Sequence, residues 1–163
     1  MLPPVLRLAH AAMQIRSAAP DDIDALEELE FDCFDSDRFS RRRWRYLLTR
    51  ARAITLVLEN SAVAEDERLC GYAMLLLRQG SHRALLHSLC VHPRCQRQRL
   101  GTRLLLAIEQ RAQREGARAV WLDVHVDNAP ALALYRRAGY ERTHWEANVY
   151  EDGGDAWRME KLL

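Results

Sequence analysis

The spacing of apolar residues changes period several times along the 163 residues, and each change predicts an element. Met13 and Ile15 alternate with polar neighbours up to Ser17, which predicts a first strand. Ala18 to Asp22 then brings Pro20 and two acids, suited to a helix start, and Ile23, Leu26, Leu29 and Phe31 or Cys33 recur at near-helical spacing. A second helix is predicted over Ser40 to Arg50. Ser40 stands as its cap, Trp44, Leu47 and Leu48 share one side, and Arg41, Arg42, Arg43 and Arg45 fall largely on the other, as a solvated face. Strand patterns over 53–59, 69–77 and 84–91, the first two joined by the polar stretch 60–68, predict an antiparallel meander.

After Pro93 a helical period returns in Leu100, Leu104, Leu105, Ile108 and Ala112, with Gly116 where a C-cap glycine would stand. Residues 117–126 read as a buried strand with Val120, Leu122, Val124 and Val126 on one face and Trp121, Asp123 and His125 on the other. Residues 129–138 read as a short helix stopped by Gly139, and 140–150 with 157–162 as two closing strands. The order is strand, two helices, three strands, helix, strand, helix and two strands, with no linker, repeat or low-complexity tract between them. It predicts one α/β domain over 13–163, with residues 1–12 as an N-terminal extension.

Composition leaves this reading in place and narrows the function classes. A chain this long can bury roughly 68–70% of its unfolded surface, so it needs no staple. Hydrophobic residues make up 48% and charged residues 29%, and 24 basic against 23 acidic side chains leave a net charge of +1, which speaks against disorder and against a polyanion-coating protein. Lys161 is the only lysine, and the arginines crowd at 41–45 and 94–103. Cys33, Cys70, Cys90 and Cys95 form neither a CxxC pair nor a Cys/His knuckle and read as reduced, mostly buried thiols. The histidines show no metal-ligand spacing, so no metal is expected. The opening MLPPVLRLAH is too short to span a bilayer, lacks a basic start and is broken by Pro3, Pro4 and Arg7, so neither a signal peptide nor a membrane partner is expected and the cytoplasm is the predicted compartment.

The stretch from Val91 to Arg103 joins a strand end, a turn and a helix start, and carries Arg94, Arg97, Arg99 and Arg103 without an acid. Unpaired N–H groups and partial positive charge at a helix N-terminus, with those arginines, suit a pyrophosphate; a solvated basic turn is the alternative. The neighbouring residues separate the two. Val91 and Pro93 close the strand, Gln96 and Gly101 sit in the turn with Arg99 between them, and Trp121-Leu-Asp-Val124, Asn128, Ala133-Leu-Tyr135 and Ala138-Gly-Tyr140 follow at fixed spacing. Through these residues, strongest over 89–140, the chain resembles the GCN5-related N-acetyltransferase superfamily, and within it most resembles the ribosomal-protein-alanine N-acetyltransferases. Arg99 departs from that pattern, standing where the family's acetyl-CoA motif has its first glycine. Its side chain could crowd the cofactor, force a strained backbone or point outward, and the outward reading is favoured.

The resemblance implies a mixed, mostly antiparallel sheet of about seven strands flanked by about four helices and splayed at the acetyl-CoA site. It implies acetyl-CoA-dependent transfer to a primary amine, with a protein or peptide N-terminal α-amine favoured, directly in a ternary complex and without metal or acyl-enzyme. Backbone groups of Leu89, Cys90 and Val91 would pair with the pantetheine arm as with a further strand. Gln96, Arg97, Gln98, Arg99, Leu100, Gly101 and Thr102 would wrap the pyrophosphate, and Asn128 would bond the pantetheine amides or cap its helix. Tyr135 is implied as the general acid for the departing thiolate, and Asp123 as the general base or a group that orients the amine. His125, on the same strand face, is the alternative base. Cys90 and Cys95 lie near the motif without a paired base in sequence.

The acceptor groove is expected between the loops 34–40 and 148–155, where Asp32, Asp35, Asp37, Glu146, Glu151, Asp152 and Asp155 supply negative charge for a cationic amine. A small-molecule amine is the alternative acceptor. A non-catalytic acyl-CoA-binding regulatory module is the alternative class, and a ribosome or nucleic-acid contact through Arg41 to Arg45 is not expected at this net charge. A monomer or homodimer is expected.

Overall fold

The structure, a computed structural model, describes residues 12–96 and 99–163. The predicted extension, Ala12 apart, and Arg97 and Gln98 of the turn lie outside the described residues. Strand β1 is Met13–Ser17; a 3-10 turn at Pro20–Asp22 leads into helix α1, Ile23–Cys33, and α2 follows at Arg41–Thr49. Strands β2, Ala53–Asn60, β3, Leu69–Leu77, and β4, Arg83–Val91, precede α3, Leu100–Arg114. Then come β5, Ala119–His125, α4, Ala129–Arg137, β6, Glu141–Glu146, and β7, Ala156–Leu162. The seven strands form one sheet in the order β1-β2-β3-β4-β5-β7-β6. Every neighbour is antiparallel except β4 and β5, which run parallel.

Each face of the sheet carries a helix pair. On one, Leu100, Leu104, Leu105, Ile108 and Ala112 of α3 and Tyr135 of α4 pack on Leu56, Leu58, Ala73, Leu75, Val120 and Leu122. On the other, Ile23, Leu26 and Leu29 of α1 and Trp44 and Leu47 of α2 pack on Val57, Tyr72 and Met74. Central β3 is covered on both faces, which is why it reads as a nearly continuous apolar run. Trp44, fully buried, meets Phe39 and Tyr72 edge-on at ring separations of 5.2 and 5.1 Å. Ser40 caps α2 by accepting from the Arg43 N–H, and Arg41, Arg42, Arg43 and Arg45 are exposed.

Two sequence expectations are corrected. Of the two residues offered for the fourth inward position of α1, Phe31 is 66% exposed while Cys33 is half-buried against the core, and the fully buried residue there is Glu30, at 2%. The first closing strand stops at Glu146, because Asn148 and Gly153 take positive φ (52° and 79°) and turn the chain back toward β7.

Candidate active site

Parallel pairing of β4 and β5 lasts only from Arg83–Ala119 to Leu85–Trp121. Just beyond it, His87 is the extra residue of a bulge, since Leu75 pairs with Leu86 and Met74 with Ser88. A bulge bends its strand, and here it directs the end of β4 away from β5. From Leu86 on, the edge of β4 facing β5 has no strand partner among the described residues, while its other edge stays paired with β3 up to Val91. Two clefts open in the gap, of about 720 and 420 Å³, and they share Leu89, Asn128 and Ala131.

The smaller cleft is walled by Leu89, Cys90 and Val91, by the first turn of α3 and by α4. Gln96 donates from its amide to the Val91 carbonyl (3.2 Å), bracing the turn. Arg99 lies in the left-handed region at φ 54° and ψ 26°, with its side chain exposed and no side-chain cap on the helix. The backbone thus takes the strained conformation that glycine at this position would adopt freely, together with an outward side chain. The amides of Leu100, Gly101 and Thr102 begin α3 against the cleft, without helical acceptors of their own. A Cβ on Gly101 would meet only ordinary contacts, 3.6 Å from Leu134 and 3.9 Å from Val91, so packing within the chain does not demand glycine there. Free strand edge, unpaired amides and bare Cα fit an extended amide chain ending in a diphosphate, the shape of acetyl-CoA. Of the arginine cluster, Arg94 is committed elsewhere, donating to the carbonyls of Glu67 and Leu69 at 2.6 and 3.2 Å. Arg103 donates to the Met13 carbonyl at 3.3 Å. Arg137 of α4 lines the cleft instead.

The larger cleft holds Asp123, His125, Asn128 and Tyr135 together. Tyr135, 7% exposed, sits mid-α4 with its ring 5.6 Å from that of Tyr140, and burial holds its phenol pKa above the usual value, so it stays protonated at neutral pH. Asn128 caps α4, its side-chain oxygen accepting from the Ala131 N–H (3.2 Å). Asp123 pairs across the sheet with Arg158, whose Nε and Nη2 donate to its two oxygens at 2.8 and 2.9 Å. His125 Nδ1 accepts from the Asp127 N–H (3.1 Å). Its ring lies against Tyr150 at 5.1 Å, and a Cβ on Gly154 would stand 2.1 Å from its Nε2, so the 147–155 loop closes on this imidazole only because residue 154 is glycine. Burial pushes the Tyr150 phenol up to about 12.

The two predicted acceptor loops face each other over this cleft, with Asp35 and Asp37 from one and Tyr150 and Asp152 from the other. They touch where the Asp37 N–H donates to Glu151 (3.4 Å) and the Glu151 N–H to Asp37 (3.5 Å). Asp32 instead bonds His92 (2.9 Å), Glu146 lies 3.4 Å from Arg158, and Asp155 accepts from the Asn148 N–H (3.0 Å). Among the described residues the larger cleft is lined by six carboxylates and no Lys or Arg, and the smaller by Arg99 and Arg137 and no carboxylate. Sequence reasoning passes over Arg158, Glu30, Tyr72 and Ser88. Glu30 alone leaves a legible signal, a charged residue one turn beyond Leu26 on the apolar side of α1. Cys70, Cys90 and Cys95 are buried and Cys33 is half-buried.

A profile described as acetyltransferase (GNAT) family matches residues 22–140. A putative ribosomal protein bS18-alanine N-acetyltransferase of Bacillus subtilis is 28% identical over 141 residues, 86% of this chain and 89% of that protein. The crystal structure of the ribosomal-protein-S18-alanine N-acetyltransferase of Escherichia coli superposes with a TM-score of 0.78 at 25% identity, covering 92% of this chain and 93% of that one. A chain of the NatC complex bound to Gag peptide and CoA shares the fold, with a TM-score of 0.80 at 18% identity over 93% of this chain and 98% of that one.

Proposed function

The chain belongs to the acetyltransferase (GNAT) family, and on that premise we propose that it transfers acetyl from acetyl-CoA to the α-amine of a peptide or protein, directly between the two bound substrates. The observation that carries this reading is the parting of β4 from β5, which joins a phosphate-sized cradle at α3 to Tyr135, Asp123 and an acidic mouth along one open strand edge. Acetyl-CoA supplies an acetyl group activated as a thioester. Leu89, Cys90 and Val91 offer it backbone hydrogen bonds, and the amides of residues 99–102 with Arg99 offer charge to its phosphates. Gln96 braces the turn, and Arg97 and Gln98 belong to the same loop by sequence.

Tyr135, held protonated by burial, gives its proton to the departing sulfur. Asp123, with both oxygens engaged by Arg158, keeps a fixed acceptor in the cleft that orients the incoming ammonium. Asp35, Asp37 and Asp152 attract a cationic acceptor to the mouth. The relatives named for alanine N-acetylation of a ribosomal protein favour a protein N-terminus over a free amine. Free-thiol release assayed over a panel of N-terminal peptides and small polyamines tests the reading. Turnover with peptides is expected; turnover with small amines alone overturns the peptide acceptor, and acetyl-CoA binding without thiol release from any acceptor overturns the enzyme.

A further inference from the structure

The reaction needs a group that takes a proton from the acceptor ammonium, and Asp123, the carboxylate of β5 in the cleft, is neutralised on both oxygens by Arg158. We propose that Ser88, Tyr72 and Glu30 form a proton path that draws this proton from the cleft into the protein, with Ser88 touching the acceptor and Glu30 receiving the proton; the proposal rests on the acetyl-transfer reading above.

Glu30 reaches the sheet from α1, 2% exposed, and forms no salt bridge among the described residues. One of its oxygens accepts from the Phe39 N–H at 2.6 Å. The other accepts from the Tyr72 hydroxyl, and Tyr72 Oη lies 2.7 Å from Ser88 Oγ. The directions follow from counting protons. Tyr72 has one hydroxyl proton and gives it to Glu30, so Ser88 must be the donor to Tyr72, which leaves the Ser88 lone pairs for a donor in the cleft. Ser88 lies beside the His87 bulge, where β4 turns away from β5, and it lines the same cleft as Tyr135 and Asp123.

In the step, an N–H bond of the ammonium breaks and its proton goes to Ser88 Oγ. The Ser88 proton passes to Tyr72 Oη, and the Tyr72 proton to Glu30. Both hydroxyls end neutral, Glu30 ends as a carboxylic acid, and the nitrogen keeps the electron pair with which it attacks. The second N–H proton, released as the amide forms, replaces through cleft water the one Tyr135 gives to sulfur. After product leaves, Glu30 returns its proton to solvent by the reverse route. Burial raises the Glu30 carboxyl, which makes it a stronger base than an exposed glutamate. The groups facing it are Tyr72 and Cys90 from the sheet, Cys33 from its own helix and Arg38 from the loop, whose charge opposes but does not cancel the rise.

Ser88→Ala removes the entry to the path and leaves both hydrogen bonds to Glu30 in place, so it separates proton transfer from structure. With an acceptor that the unaltered protein acetylates, S88A is expected to lose about 100-fold in kcat while its melting temperature and its KM for acetyl-CoA stay the same. Glu30→Gln keeps the size of the side chain, its Oε1 accepting from the Phe39 N–H and its Nε2 donating to the Tyr72 oxygen, but cannot take up a proton; it is expected to show a similar loss and to abolish the acidic limb of kcat/KM against pH. Wild-type kcat in S88A, or an unchanged acidic limb in E30Q, overturns the path. If E30Q does not fold, S88A decides alone. Failure of the unaltered protein to turn over any acceptor is a different result, and overturns the acetyl-transfer reading itself.

Discussion

At the scale of single residues, the site divides into what spacing exposes and what only folding assembles. Gln96, Gly101, Asn128 and Tyr135 stand at fixed distances along the chain, so the amino-acid sequence already singles them out as candidates. That of Arg158 is not, because its meeting with Asp123 depends on the register of β5 against β7, which no local pattern encodes. The same holds for Ser88 and Tyr72, brought together by the register of β3 against β4. Tyr135→Phe keeps the ring packed against Tyr140 and removes only the hydroxyl, so kcat is expected to fall by about 100-fold or more with KM for acetyl-CoA nearly unchanged, read by thiol release. Arg99 is a second residue-scale test. Its left-handed backbone costs about 1–2 kcal/mol for a residue with a side chain, and glycine gives back part of that in chain entropy. Arg99→Gly is therefore expected to raise the melting temperature by about 2 °C, and a lower one would contradict the strained turn.

At the scale of elements, alternation and helical period place the seven strands and four helices of the described residues in order, because most of them bury a marked apolar face; edge strand β6, with no buried residue, is the exception. Boundaries fail where a loop borrows strand-like residues, as in Val149 and Tyr150, which belong to the turn folded over His125. The sole lysine shows how elements are tied. Lys161 of β7 reaches Glu109 of α3 at 2.8 Å, and the Glu109 side chain is only 7% exposed. Lys161→Met strands that carboxylate in the core and is expected to cost about 2 kcal/mol, less than for a fully buried pair because Lys161 is 26% exposed, whereas the double variant with Glu109→Gln regains most of it. Urea unfolding of the two variants measures the difference, and equal stabilities would contradict the pairing.

At the scale of the whole molecule, a net charge of +1 conceals a separation. The cleft under the 34–40 and 148–155 loops is acidic, the one beside α3 is basic, and they adjoin at Leu89, Asn128 and Ala131. Opposite fields side by side suit an anionic donor and a cationic acceptor that must meet at one bond. Because the Debye length shrinks from about 30 Å at 0.01 M to about 10 Å at 0.1 M salt, KM for a peptide acceptor is expected to rise over that range. A flat response would mean that the acidic mouth plays no part in capture. The central claim, acetyl transfer to an α-amine, has one direct measurement: mass spectrometry of an N-terminal peptide incubated with acetyl-CoA and the protein. One acetyl group on the N-terminal nitrogen, formed by the unaltered chain and nearly absent with Tyr135→Phe, is the expected result; a peptide left unmodified, or modified equally by both proteins, would contradict it.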